Sequence, residues 1–218
     1  MPTSRSSASD QRSRQKRVGE ALRNDTRNRI LEAAALEFAQ HGYAATTVSR
    51  LAAAAGVSVQ TLYLAWGSKR AILRAYMERA LTGSAASPEQ AAARFSDDMT
   101  APQRLDALAE LVAEVAGRAF VGWRLHRDAA AIDPEIAEDW GELQALRYEL
   151  FTRIIAGIPD EALAPGLTRA AAVDTAWTLA SPEALDLLAV RRGYGLDQIR
   201  EWLRRTLPAA LLAPGAAG

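Results

Sequence analysis

The sequence predicts an all-α protein in two parts, an N-terminal three-helix unit with a helix-turn-helix and a larger helical domain after it. Three observations carry this. Ala and Leu supply most of the apolar mass while aromatics make up only 6%, and both residues lose little side-chain entropy in a helix. Apolar residues recur at helical spacing, and no segment shows the alternating β-branched pattern of strands. Ser, Thr, Gly and Pro stand where helices begin and end.

Taken in order, residues 1–24 are rich in Ser, Arg and Gln and lack apolar periodicity, which reads as a disordered basic arm. It carries Arg5, Arg12, Arg14, Lys16, Arg17 and Arg23. A solvated tail and an arm that touches a polyanion are both open for it. From Asp25 a helix is predicted, with Ile30, Ala33, Ala34 and Phe38 on one stripe and Gly42 as its stop. Thr47 caps a short second helix carrying Val48, Leu51 and Ala52, broken by Gly56 and Val57. Ser58 caps a third, from Val59 to about Trp66, with Leu62 inward. Gly67 ends it, and Ser68 caps a fourth from Lys69 to about Leu81. These helices form a domain over 25–81.

Small residues and Pro over 82–88 read as a loop, and a second domain spans 82–218. Its helical windows lie at Pro102–Ala116, Ala119–Ala131, Pro134–Gly157, Thr168–Leu179, Pro182–Arg192 and Leu196–Leu212. Several open on Pro, whose missing N–H costs nothing in a first helical turn.

Composition excludes whole classes of chemistry. The chain has no Cys and only two His, so disulfides, thiolate zinc sites, iron–sulfur clusters and Cys nucleophiles are out, and neither a metal nor a cofactor is expected. No apolar run approaches the length of about 18 residues that spans a bilayer. The first 20 residues have no apolar core of a secretory signal, and a cytoplasmic location is expected. Net charge is zero, yet residues 1–80 hold 13 Lys/Arg against 6 Asp/Glu and the remainder 13 against 20. A basic head suits a polyanion; an acidic body suits something else.

The informative stretch is Thr46-Thr47-Val48-Ser49-Arg50-Leu51-Ala52-Ala53-Ala54-Ala55-Gly56-Val57-Ser58-Val59-Gln60-Thr61-Leu62-Tyr63. Two short helices joined by a Gly-containing turn can lay the second helix in a DNA major groove. Ala52 is small where the helices approach, Gly56 supplies a positive φ, and Val57 and Leu62 lock the second helix onto Leu51. Val59, Gln60 and Thr61 then face outward as base-reading candidates, because Gln pairs with adenine and Thr or Val meets a thymine methyl. Thr47, Ser58, Tyr63 and Lys69 flank them as candidates for phosphate contacts.

Ile30-Leu31-x-Ala33-Ala34-x-x-x-Phe38-x-x-x-Gly42-Tyr43, Thr46-Thr47-Val48 and Leu51-Ala52-x-x-Ala55-Gly56-Val57-Ser58 closely resemble the tetracycline-repressor (TetR) family. Leu62-Tyr63, Trp66-Gly67-Ser68-Lys69 and Ile72-Leu73 continue the likeness. In the second half Trp177-Thr178-Leu179-x-Ser181-Pro182-Glu183, Arg192-Gly193-Tyr194, Trp202-Leu203 and Leu207 are similar to actinobacterial-type members. Three positions depart from the pattern. Ala65 stands where His is frequent, which bears on one phosphate contact; Trp66 replaces Phe or Tyr and enlarges packing; Glu37 replaces a frequent Leu.

The resemblance implies a ligand-responsive transcriptional regulator, a repressor that binds a palindromic stretch of double-stranded operator DNA as a homodimer and is released by a small-molecule effector. It implies a ligand-binding and dimerisation domain beyond residue 82. Candidate pocket residues are Phe120, Trp123, His126, Trp140, Tyr148 and Trp177, although aromatics at helical spacing also serve as plain core. Candidate dimer-interface residues are Trp177, Ala180, Trp202, Leu203 and Leu207, and intramolecular packing of the same faces is equally open. An enzyme is not expected: His41 and His126 are the only histidines, and Gly193-Tyr194-Gly195 lacks the rest of a dinucleotide fingerprint. A structural interaction protein, the third reading, predicts dimerisation without salt-dependent DNA binding. The sequence names neither effector, operator, nor regulated genes, and it does not separate repression from activation.

Overall fold

A computed structural model describes residues 4–82 and 91–215. The chain divides into two compact units, Met1–Tyr76 and Met77–Gly218. The helices are α1 Ser4–Ala45, α2 Val48–Ala54, α3 Val59–Trp66, α4 Lys69–Thr82, α5 Ala101–Ala130, α6 Pro134–Ala156, α7 Arg169–Leu179, α8 Pro182–Asp186 and α9 Leu196–Leu211. Among the described residues the one β feature is an isolated antiparallel bridge between Leu163 and Leu212. Among them, too, no helix is long and apolar enough to cross a membrane.

In the first unit, α1 starts at Ser4, so the segment read as an irregular arm is helical over 4–24. Its Arg, Gln, Ala and Glu are good helix formers and nothing in it stops a helix, and a helix needs no apolar stripe where its side chains stay outside, as those of Arg14, Arg17 and Arg23 do. Residues 1–3 and the side chains of Arg5, Arg12 and Lys16 lie outside the described residues, as do positions 83–88 of the expected loop. From residue 30 the apolar stripe goes inside, and Ile30, Ala34 and Phe38 are fully buried. Phe38 packs against the rings of Tyr43 and Tyr76 at centroid distances of 5.9 and 6.5 Å.

The helical run of α1 is broken at Gly42, whose φ of 71° is left-handed. A helix end leaves carbonyls without intrahelical donors, and here two side chains supply them. Thr46 is fully buried, and its hydroxyl donates to the Gly42 carbonyl at 2.8 Å with the Glu37 carbonyl at 3.2 Å. Lys69, the first residue of α4, donates from Nζ to the carbonyls of Tyr43 at 2.9 Å and Thr46 at 3.0 Å. The same ammonium sits 3.9 Å from the centre of the Tyr43 ring, a favourable cation–π contact. Ser68 caps α4 by accepting the Ala71 N–H at 3.0 Å.

In the second unit α5 is one 30-residue helix, where the sequence suggests two windows parting near Gly117. A lone Gly costs a helix only about 1 kcal/mol, and without a Pro the inward stripe from Leu105 to Ala129 carries straight through. Thr100 and Gln103 form a reciprocal capping box at its start. Asp133, Thr168 and Ser181 cap α6, α7 and α8 through their side chains. After α8 the chain loosens into a π-helical stretch, Leu187–Arg191. Leu105, Leu108, Ile155, Ala176, Leu203 and Leu207 belong to one core in which α9 packs on α5. Above it Arg204 pairs with Asp106 at 2.7 Å and Glu110 at 2.8 Å, and Arg200 with Glu110 at 3.1 Å. A smaller cluster joins Met77, Ala119 and Trp123.

Two substitutions test this frame. Lys69→Met keeps the apolar stem but removes two charge-assisted bonds, and a loss of about 2–3 kcal/mol is expected in urea unfolding followed by circular dichroism. Leu203→Ala opens a cavity at a fully buried site and is expected to cost about 2–5 kcal/mol by the same measurement.

Candidate nucleic-acid interface

The chemistry on offer in the first unit is set by how α2 and α3 are tied down. Thr47 caps α2 by accepting the Arg50 N–H at 3.2 Å, and Ser58 caps α3 by accepting the Thr61 N–H at 3.0 Å. Between them Gly56 takes a φ of 65°, which a side chain tolerates poorly. The turn closes through Val57 N–H to the Ala52 carbonyl at 2.9 Å. It is braced from α1 by Arg29, which donates to the carbonyls of Ala55 at 2.7 Å and Gly56 at 3.3 Å. Leu51 and Leu62 are both fully buried beneath the turn.

With Leu62 inward, helical geometry decides what α3 shows outside. At about 100° per residue, Gln60 and Leu64 each stand roughly 160° from Leu62, on the far side of the helix. Gln60 is exposed, Val59 is 39% exposed, Tyr63 50% and Leu64 82%. Of the three base-reading candidates, Gln60 therefore lies on the open face, and Val59 is exposed at its edge. Thr61 is half-buried on its flank, with its hydroxyl 2.8 Å from the Ser58 Oγ. Of the phosphate candidates, Thr47, Ser58 and Tyr63 are exposed around that face. Lys69 is half-buried and committed to the carbonyls that end α1.

Three residues escaped the sequence reading. Leu64 could have been found by the same wheel that picked Gln60. Arg29 could not, because its partners are backbone carbonyls 26 and 27 positions away. Arg27 stacks its guanidinium 4.4 Å from the Trp66 ring, which gives the enlarged Trp66 a partner. The Glu37 departure also has a local reason, since its carboxylate binds Arg50 of α2 at 2.9 Å, and Arg50 in turn lies 2.7 Å from His41 Nε2.

In the second unit the six pocket candidates form no single group. Trp123 and Trp140 make an edge-to-face pair at 5.5 Å, with His126 buried one helical turn beyond Trp123. Tyr148 and Trp177 make another at 6.0 Å. Arg147 lies between the rings of Phe151 and Trp177, 5.0 and 4.8 Å from their centres, and donates to the Trp177 carbonyl. Burial lowers this guanidinium to about 10. Tyr148 donates to Asp174 at 3.0 Å, which holds its phenol above the ordinary value. Phe120 packs on the large core. Among the interface candidates Ala180, Leu203 and Leu207 are buried in their own chain, and Trp177 and Trp202 are half-buried.

Residues 30–76 match the family model for bacterial regulatory proteins of the tetR family. A search of curated proteins found no match. Solved structures share the fold. NalD of Pseudomonas aeruginosa, the secondary repressor of the MexAB-OprM multidrug efflux pump, aligns with a TM-score of 0.68 at 23% identity, over 87% of this chain and 98% of that one. A TetR-like transcriptional regulator from Rhodococcus sp. aligns at 0.61 and 18%, over 84% and 93%. The ketosteroid transcriptional regulator KstR2 of Mycobacterium tuberculosis aligns at 0.55 and 18%, over 85% and 94%. The matched family is one of regulators, not enzymes, and its model falls on the stretch from Ile30 to Tyr76 that holds the two capped helices and their turn. Residues 30–76 are therefore similar to the domain that bacterial regulatory proteins of the tetR family share.

Proposed function

We propose that the chain is a repressor that binds a palindromic operator as a homodimer and leaves it when a small molecule binds the second unit. The observation that carries the reading is the open face of α3, where Gln60 stands opposite Leu62 with Tyr63 and Val59 exposed at its sides, on a helix capped and braced at its start. A side-chain amide there can pair with an adenine edge in the major groove, and a valine can lie against a thymine methyl. Thr47, Ser58 and Tyr63 surround that face as phosphate ligands that set register. The charge of the first 76 residues, 12 Lys/Arg against 5 Asp/Glu, attracts the duplex before any base is read.

Twofold pairing supplies the palindrome, because a C2 dimer presents two copies of α3 to two half-sites. The half-buried Trp177 and Trp202 are our candidates for the pairing surface. The effector falls to the aromatic groups of the second unit, Phe120, Trp123, His126 and Trp140 and the pair Tyr148–Trp177. Trp177 Nε1 is buried with no acceptor among the described residues. Release follows from linkage: an effector that weakens operator binding itself binds the operator complex less well, by the same factor.

The test is selection of duplexes from a randomised pool by the purified full chain, followed by fluorescence anisotropy on the selected site. A palindromic site is expected, with affinity that falls by about 0.9 log units per tenfold rise in salt for each phosphate neutralised. Gln60→Ala is expected to lose roughly ten- to hundredfold on that site and almost nothing on scrambled DNA, the scale of one bidentate base contact. Equal losses on both sequences remove Gln60 from base reading.

A further inference from the structure

Leu64 is the most exposed large apolar side chain of the molecule's described residues, at 82%. A single leucine at a surface needs no explanation, but this one is not placed at random. It lies on α3, an eight-residue helix that also exposes Tyr63 and Val59, so three of its large apolar side chains face out. It follows Gln60 by four residues, which puts the two side chains on adjacent turns of the same face. Exposure of Leu64 forgoes the burial a leucine ordinarily gains on folding, and among the described residues of the first unit no ring contact uses it.

A leucine cannot donate or accept a hydrogen bond, so it cannot read a purine edge or hold a phosphate. What it can recognise in a major groove is the one apolar group the bases present there, the C5-methyl of thymine. We infer that Leu64 is a specificity-determining residue that closes on a thymine methyl beside the base read by Gln60. One turn of α3 advances about 5.4 Å against a base-pair rise of about 3.4 Å. The thymine therefore lies one or two base pairs from the Gln60 contact in each half-site. Ala65, which follows, brings no polar group to compete for the same position.

This inference rests on the DNA-reading function proposed above, and the experiment separates the two. Thymines of the selected duplex are replaced one position at a time, in both half-sites, by uracil, which keeps every hydrogen-bonding group and lacks only the methyl. At the Leu64 position the full-length native chain is expected to lose roughly fourfold per half-site, the scale of one buried methyl group. At that position Leu64→Ala is expected to bind thymine and uracil forms alike, with an unchanged melting temperature because the side chain is exposed. Gln60→Ala is expected to keep the methyl sensitivity. A selected site that the native chain binds equally well in thymine and uracil forms overturns the Leu64 assignment alone. So does a Leu64→Ala protein as methyl-sensitive as the native chain at that position. Failure to select any site overturns the DNA reading and the Leu64 assignment together.

Discussion

The first unit depends on how the end of α1 is satisfied. Breaking the helix at Gly42 frees carbonyls that water cannot reach easily, and a buried carbonyl left alone is costly. Thr46 and Lys69 answer that demand from opposite ends of the motif, one just before α2 and the other at the start of α4. Thr46 is followed at once by the cap residue Thr47, so fixing Thr46 fixes where α2 begins. The turn after α2 is held again from α1, by Arg29. A short helix such as α3 has too few hydrogen bonds to be stable by itself, and these braces, with Leu62 beneath it, are what make its outer face a defined surface.

That surface is chemically sparse, and the sparseness is informative. It carries an amide, a valine, a tyrosine and a leucine, with hydroxyls at the caps. Cations are plentiful in the unit, yet Arg29, Arg50 and Lys69 are engaged in protein contacts around the helices. The division fits a reader in which charge draws in the duplex and short-range contacts on α3 discriminate among sequences. The second unit is built on different terms. Its core is mostly aliphatic, four of its aromatics stand in two edge-to-face pairs, and arginine–carboxylate pairs line the α5–α9 seam.

Much of the fold was legible because this chain marks its helices locally. Thr47, Ser58 and Ser68 all cap where the sequence places them, and the bounds of α3 follow from Ser58 and Gly67. Where the sequence misled, the deciding factor was not local. Gly117 resembles a stop, but its neighbours on the buried stripe keep α5 continuous. Lys69 resembles a phosphate ligand because a cation near a helix start is visible in sequence, while orphaned carbonyls 23 and 26 residues earlier are not. The aromatics of the second unit share a helical phase with many core positions, and only the packing of α6 on α5 and α7 shows that four of them fall into two separate pairs. Leu64 was legible in principle, since its angle from Leu62 equals that of Gln60.

The most direct test of the central claim is amide hydrogen exchange of the full chain with and without a selected duplex. Short capped helices open readily by themselves and should be quieted by what they bind. With α3 in the groove, the strongest added protection is expected over residues 47–66, the two capped helices and their turn. Protection confined to residues 77–218, or none at all, would contradict the assignment of α3 as the element that enters the groove.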